Sequence, residues 1–98
     1  MTIAIDFDGT YAALPELRAF GALLVRAGHT VVIVTGRSDH GEFGAEVRRG
    51  VAGALPIVFA GEEWKRHAAA RAGYKVNIWI DDNPEYIGPQ NLIGAFRP

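Results

Sequence analysis

The chain contains no cysteine, which excludes a disulfide framework, a thiolate metal site and a cysteine nucleophile, and is compatible with a reducing compartment. Charge of one sign is missing as well, since ten Lys and Arg stand against eleven Asp and Glu for a formal charge of -1. No field therefore draws the protein to nucleic acid or to a membrane surface. Long apolar runs are absent. Asp6 and Asp8 interrupt the first one almost at once, so neither a signal peptide nor a membrane-spanning helix is expected, and a cytoplasmic location is the default. Lysine is scarce, with only Lys65 and Lys75. What is present is ordinary for a globular protein: 49% apolar and 21% charged residues over 98 positions, enough for one hydrophobic core and a single domain over 1–98.

Short β-branched runs at 3–5, 31–34, 57–59 and 76–80 alternate with helical patterns, which predicts a three-layer α/β/α sandwich around a parallel sheet. The runs are apolar at nearly every position, as strands covered on both faces should be. Between the first two, Leu14, Leu17, Phe20, Leu24 and Ala27 recur at helical spacing with Glu16, Arg18 and Arg26 opposite; Pro15 suits the first turn and Gly28 the stop. A helix from about 62 to 72 places Trp64, Ala68 and Ala72 on one stripe and ends at Gly73. The segments 26–31 and 71–76 thus share one helix, glycine, strand design. A second helix near 42–51 carries Phe43, Val47 and Val51, is weakened by Gly44 and Gly50, and is preceded by Asp39 three residues before Glu42 in a capping box. An edge strand is expected at 92–96.

Ligands of open parallel sheets bind at the carboxyl ends of the strands, and the polar residues of this chain gather there. The first strand ends in Asp6-Phe7-Asp8-Gly9-Thr10, the second in Thr35-Gly36-Arg37, and the fourth in Asp81-Asp82-Asn83-Pro84, while Lys65 follows the third. A carboxylate can attack phosphorus and form an acyl phosphate, which is the role expected of Asp6. Several carboxylates facing an anionic phosphate make sense with a hard cation such as magnesium among them, and Asp81 is a natural further ligand. Asp8, two residues from Asp6, suits a general acid and base whose pKa is raised by a neighbouring carboxylate. Thr35 and Lys65 offer a hydroxyl and a positive charge to the phosphoryl oxygens. Gly9 and Gly36 let backbone amides approach closely, and Thr10 and Arg37 complete the substrate-binding set.

Taken in order, Asp6-Phe7-Asp8-Gly9-Thr10, Thr35, Lys65 and Asp81-Asp82 resemble the four motifs of the haloacid dehalogenase superfamily over residues 1 to 87. The resemblance implies a Rossmannoid parallel sheet of strand order 3-2-1-4. It further implies a phosphatase with Asp6 as nucleophile, Asp8 as acid and base, and magnesium held by Asp6, the backbone carbonyl of Asp8, and Asp81. Asp82 would join through water or as a supporting partner. Only a few residues separate Thr10 from Pro15, and Phe59 from Lys65, so the flap and cap usual in that family have no room. The chain resembles a minimal, capless member acting on a phosphorylated substrate, with a neighbouring subunit of a homo-oligomer as one source of the missing wall.

Plainer readings stand beside these. Asp82 and Asn83 before Pro84 also suit a helix start, with Asn83 as cap; for Asp82, capping and metal support remain open. Arg37 fits a substrate contact or a solvated rim. His29, His40 and His67 lack metal-ligand spacing. Trp64, Trp79 and Phe59 are expected in the core, leaving Tyr11 as the aromatic substrate contact. Two functional alternatives remain: a module that binds magnesium and phosphate without turnover, and phosphotransfer or phosphatase action on a nucleic-acid or protein terminus.

Overall fold

The computed structural model describes residues 1–90; the edge strand expected at 92–96 lies outside them. Four strands, β1 (Thr2–Ile5), β2 (Thr30–Thr35), β3 (Ile57–Phe59) and β4 (Ile78–Ile80), form an all-parallel sheet of order β3-β2-β1-β4. Three helices connect them: α1 (Pro15–Arg26), α2 (Gly41–Val51) and α3 (Lys65–Arg71). The fold is α/β with three layers. Side chains of β1 and β2 alternate between the layers: Ile3, Ile5, Val31 and Ile33 pack with Leu24 of α1 and Val47 and Val51 of α2, whereas Ala4, Val32 and Val34 pack with Ala68 and Ala69 of α3. No helix among the described residues is long and apolar enough to cross a membrane.

Both expected glycine stops form, and they form alike. After α1, Ala27, Gly28 and His29 donate their N–H groups to Leu23, Val25 and Leu24; after α3, Ala72, Gly73 and Tyr74 donate to Ala68, Ala70 and Ala69. The two glycines take φ of +93° and +96°, where a side chain would be strained.

The helix faces depart from the apolar pattern. In α1 the side facing the sheet is Leu17, Gly21 and Leu24, while Leu14, Phe20 and Ala27 are exposed. In α2, Gly44, Val47 and Val51 are buried and Phe43 is 69% exposed. In α3, Lys65, Ala68 and Ala69 are buried, and Trp64 and Ala72 are not. Two glycines explain much of this. A Cβ at Gly44 would collide with the backbone of Asp39, and one at Gly50 would lie 2.6 Å from the Phe7 ring. Close approach at a glycine sets the buried side of a helix, even where a larger apolar residue lies nearby.

The capping box does not form: α2 starts after His40, Asp39 pairs with Arg48, and Glu42 pairs with Arg49. The fourth strand begins at Ile78 rather than at 76, although Asn77 still pairs with Thr2 through its N–H and its side-chain oxygen.

The connectivity determines where a site can lie. The chain runs from β1 outward through β2 to β3, then crosses to the far side of β1 for β4. The strand order therefore reverses between β1 and β4, at the crevice where open sheets bind ligands. Ile5 pairs with Ile80, so the next residues of each strand, Asp6 and Asp81, leave the sheet side by side.

Candidate active site

Asp6 is tied to the sheet by its own backbone, its N–H donating to the Ile80 carbonyl at 2.9 Å. Beyond it, Phe7–Tyr11 makes one wide turn in which Tyr11 and Ala12 donate back to Asp6 and Phe7. The turn needs glycine at its centre. Gly9 has φ +79°, and a Cβ there would collide with the carboxylate of Asp82, so Gly9 both permits the turn and makes room for an acid of another segment. Thr10 is buried, and its hydroxyl donates to the Asp6 carbonyl and lies 3.3 Å from the Asp6 carboxylate. It braces the aspartate from behind.

Lys65 opens α3 from the loop after β3 and is 4% exposed. Its Nζ lies 2.7 Å from Asp6 Oδ1 and 2.7 Å from Asp81 Oδ2. Asp81 uses its other oxygen to accept the Asn83 N–H at 2.9 Å. Burial raises the pKa of Asp6 to about 6, even though the hydrogen bond and charge of Lys65 act in the opposite direction. Burial opposes the charge of Lys65 in turn, but its hydrogen bonds to Asp6 and Asp81 outweigh that effect and hold its pKa above the usual value. Lys75 precedes β4, at the opposite end of the strand from Asp81, and is exposed.

Carboxylate oxygens of Asp6, Asp81 and Asp82 all lie within 4.8 Å of one another, close enough to hold a metal ion together. All-oxygen donors suit a hard cation, and the bare Cα of Gly9 keeps Asp82 in range. The carboxylate of Asp8 is not in this cluster. Asp8 points to the rim, where Arg37 grips both of its oxygens, Nε at 2.9 Å and Nη2 at 2.6 Å. The neighbouring carboxylate expected for Asp8 is thus replaced by a guanidinium. Arg37 also pairs with Glu46 at 2.5 Å and lies over the rings of Phe7 and Phe43; its bonds to Asp8 and Glu46 raise its pKa.

These groups open into a cavity of about 750 Å³ at the strand ends. Asp6, Asp8, Lys65, Asp81 and Asp82 line it, as do Gly9, Gly36 and Arg37. Thr10 and Thr35 do not line it. Thr35 is fully buried, and its Oγ1 accepts the Arg37 N–H at 3.2 Å, so the hydroxyl holds the Gly36 turn. Phe59 and Trp79 pack against the core as expected, but Tyr11 and Trp64 exchange places. Tyr11 is 5% exposed and belongs to the core, packed with Ile3 and Ile5, because the wide turn folds it inward. Trp64 and Tyr86, in the loops that follow β3 and β4, line the cavity instead. Position would have found Trp64, since it immediately precedes Lys65. Pro84 opens a single helical turn to Tyr86, with Asn83 at its cap position and no side-chain cap bond. No family model, no curated protein and no solved structure matches the chain.

Proposed function

We propose that the chain is a magnesium-dependent phosphatase that hydrolyses a phosphate monoester through a phospho-aspartyl intermediate on Asp6. The observation that carries this reading is the placement of one buried lysine 2.7 Å from each of two carboxylates, with a third acid beside them, at the crossover of a parallel sheet. Charge of both signs held in one crevice suits an anion that must be gripped and a nucleophile that must be aimed.

When bound, magnesium would be held by Asp6, Asp81 and Asp82, and would screen these carboxylates from the phosphate and withdraw charge from its oxygens. The chain's own groups do the rest. Lys65 holds Asp6 Oδ1 and the Thr10 hydroxyl lies 3.3 Å from Oδ2, so the carboxylate is fixed in the cavity wall, and one of its oxygens is the nucleophile. That oxygen attacks phosphorus, the ester P–O bond breaks, and the leaving oxygen takes a proton from Asp8 to depart as an alcohol. Asp8, now a carboxylate, takes a proton from water as the water oxygen attacks the phospho-aspartate. The bond from phosphorus to Asp6 breaks, inorganic phosphate leaves, and both aspartates are restored. Asp8 is a carboxylate while Arg37 grips it, so before the first step it must release Arg37 and take up a proton from solvent.

The grip of Arg37 on Asp8 also favours a second reading, a module that binds metal and phosphate without turning over. Phosphate release from a set of monoesters, with magnesium and after chelation, separates the two. Turnover abolished in Asp6→Asn is expected, with a loss of about a thousandfold or more for an essential nucleophile. A variant retaining a tenth of the activity, or a wild-type protein with none, rejects the phosphatase.

A further inference from the structure

Beyond the phosphate, the cavity has a second chemistry that the reaction does not use. Trp64 is 48% exposed and Tyr86 is 56% exposed, yet both line the same cavity as Asp6. Large aromatic rings are usually buried more deeply. Neither ring sits on a loose segment. Trp64 directly precedes Lys65, so the first turn of α3 fixes its backbone. The side chain rests on the backbone of Gly88, where a Cβ would lie 2.7 Å from the indole Cγ. Gly88 has φ +91°, which further restricts the position to glycine. The segment carrying Tyr86 is tied down as well: Ile87 is buried, its carbonyl accepts the Arg66 N–H at 2.9 Å, and its own N–H donates to Pro84. One side of the indole is thus packed and braced, while nearly half of the residue stays in water in the cavity that Asp6 also lines.

Charge narrows what can lie there. Acidic lining residues outnumber basic ones six to two, and the basic pair is already engaged, Lys65 by Asp6 and Asp81, Arg37 by Asp8 and Glu46. Glu62 and Glu63 directly precede Trp64 and also line the cavity, Glu63 being paired with Arg71. With both lining cations paired, none is left to hold a second phosphate or a carboxylate on the leaving group.

We infer that Trp64 and Tyr86 form a leaving-group subsite, and that the preferred substrate is a monophosphate ester of an uncharged, flat aromatic group rather than of an aliphatic alcohol or a polyphosphate. The inference rests on the phosphatase reading for its chemistry, but the subsite can be measured by binding alone. Stacking on an aromatic side chain is sequence-tolerant and strong enough to be seen in affinity.

The test uses Asp6→Asn protein with magnesium and calorimetric titration of phenyl phosphate and methyl phosphate. Phenyl phosphate is expected to bind at least about tenfold more tightly, and that ratio should fall toward one in a Trp64→Ala background. Trp64→Phe, which keeps a ring, should restore most of it, and Tyr86→Ala should lower it in part. Equal affinity for the two esters overturns the subsite, as does a ratio unaffected by Trp64→Ala, or binding of neither ester. A phenyl preference without turnover in the wild-type protein would keep the subsite and reject the phosphatase. Turnover that requires Asp6 but shows no aromatic preference would do the reverse.

Discussion

Lys65 and Arg37 each stand between two carboxylates, Lys65 deep in the crevice and Arg37 at its rim. Around Lys65 the side chains of the base and its two acids are 6%, 7% and 1% exposed; around Arg37 the corresponding values are 20%, 54% and 54%. The same number of charges therefore does different work. In the buried group, water cannot compensate for a lost partner, so each charge is locked by the others, and the pKa values of Asp6 and Lys65 are raised. At the rim both carboxylates are more than half exposed, so water competes for them, and exposed pairs typically contribute only about 0–1 kcal/mol. On the proposed reading, the inner group stays in place while the outer one opens. A nucleophile needs the first property; an acid and base that moves protons to and from a leaving group and a water needs the second.

Removal of the inner cation breaks this contrast most severely. Lys65→Ala leaves two buried carboxylates facing each other, and is expected to cost about 3–5 kcal/mol of stability and to lower turnover sharply. Lys75→Ala, at the exposed far end of β4, should change stability by less than about 0.5 kcal/mol and leave activity near wild type. Urea unfolding and phosphate release on both variants decide the matter, and similar effects from the two would refute the placement.

Next in size is the division of labour between the adjacent acids. Asp81 is bonded to Lys65 and to the Asn83 N–H, whereas Asp82 has no base or backbone N–H bonded to it among the described residues and is kept in range by the glycine at position 9. Asp81→Ala should therefore raise the magnesium requirement far more than Asp82→Ala. A titration of activity against magnesium after chelation would show it, and a larger shift from Asp82 would reverse the assignment.

A pH series sharpens the comparison further. In metal-free protein, burial lifts Asp6 from 3.8 to about 6. A raised pKa favours the folded state while the group is protonated. That contribution is complete below the unfolded value and is lost as pH rises through about 6. Relative to Asp6→Asn, wild-type stability should thus fall between pH 4 and pH 7, by on the order of 2–3 kcal/mol. A difference that stays flat, or rises, contradicts the burial of the charge. Magnesium, which favours the ionised form, should shrink the fall.

The smallest effect belongs to the rim. Arg37→Ala should alter stability by about 1 kcal/mol or less, while its effect on rate should be a change of a few fold. Because Asp8 is then released without competition, the substitution reports whether the grip restrains turnover. A collapse of stability would show that the outer group is as rigid as the inner one.

The strands and the residues at their carboxyl ends were legible in the sequence for a local reason: a β-branched run and the polar residue that stops it lie next to each other. The contiguous runs at 3–5 and 57–59 fall inside observed strands, and Asp6, Lys65, Asp81 and Asp82 are brought together from separate segments. The helix faces were less legible. Phe20, Phe43 and Trp64 dominate any apolar count, yet Gly21, Gly44 and the small Ala68 and Ala69 lie against the interior. What a helix buries depends on how closely it can approach, and no hydrophobic scale rewards a missing side chain. Tyr11 was misplaced for a related reason, because the wide turn at 7–11 rotates it inward. The hold of Arg37 on Asp8 joins residues 29 positions apart and has no local signature at all.

Gly50 gives one of these contacts a genetic meaning. It is exposed on the last turn of α2, and no part of it lines the cavity, yet the Phe7 ring lies where its side chain would be. Phe7 sits between Asp6 and Asp8, so a bulky replacement at Gly50 pushes on both through the ring. In a library of random variants, a surface position on a helix ordinarily tolerates most replacements. Gly50 should instead be inherited together with the aspartates, an outwardly neutral position whose variants are lost from an activity selection as readily as changes to the crevice itself.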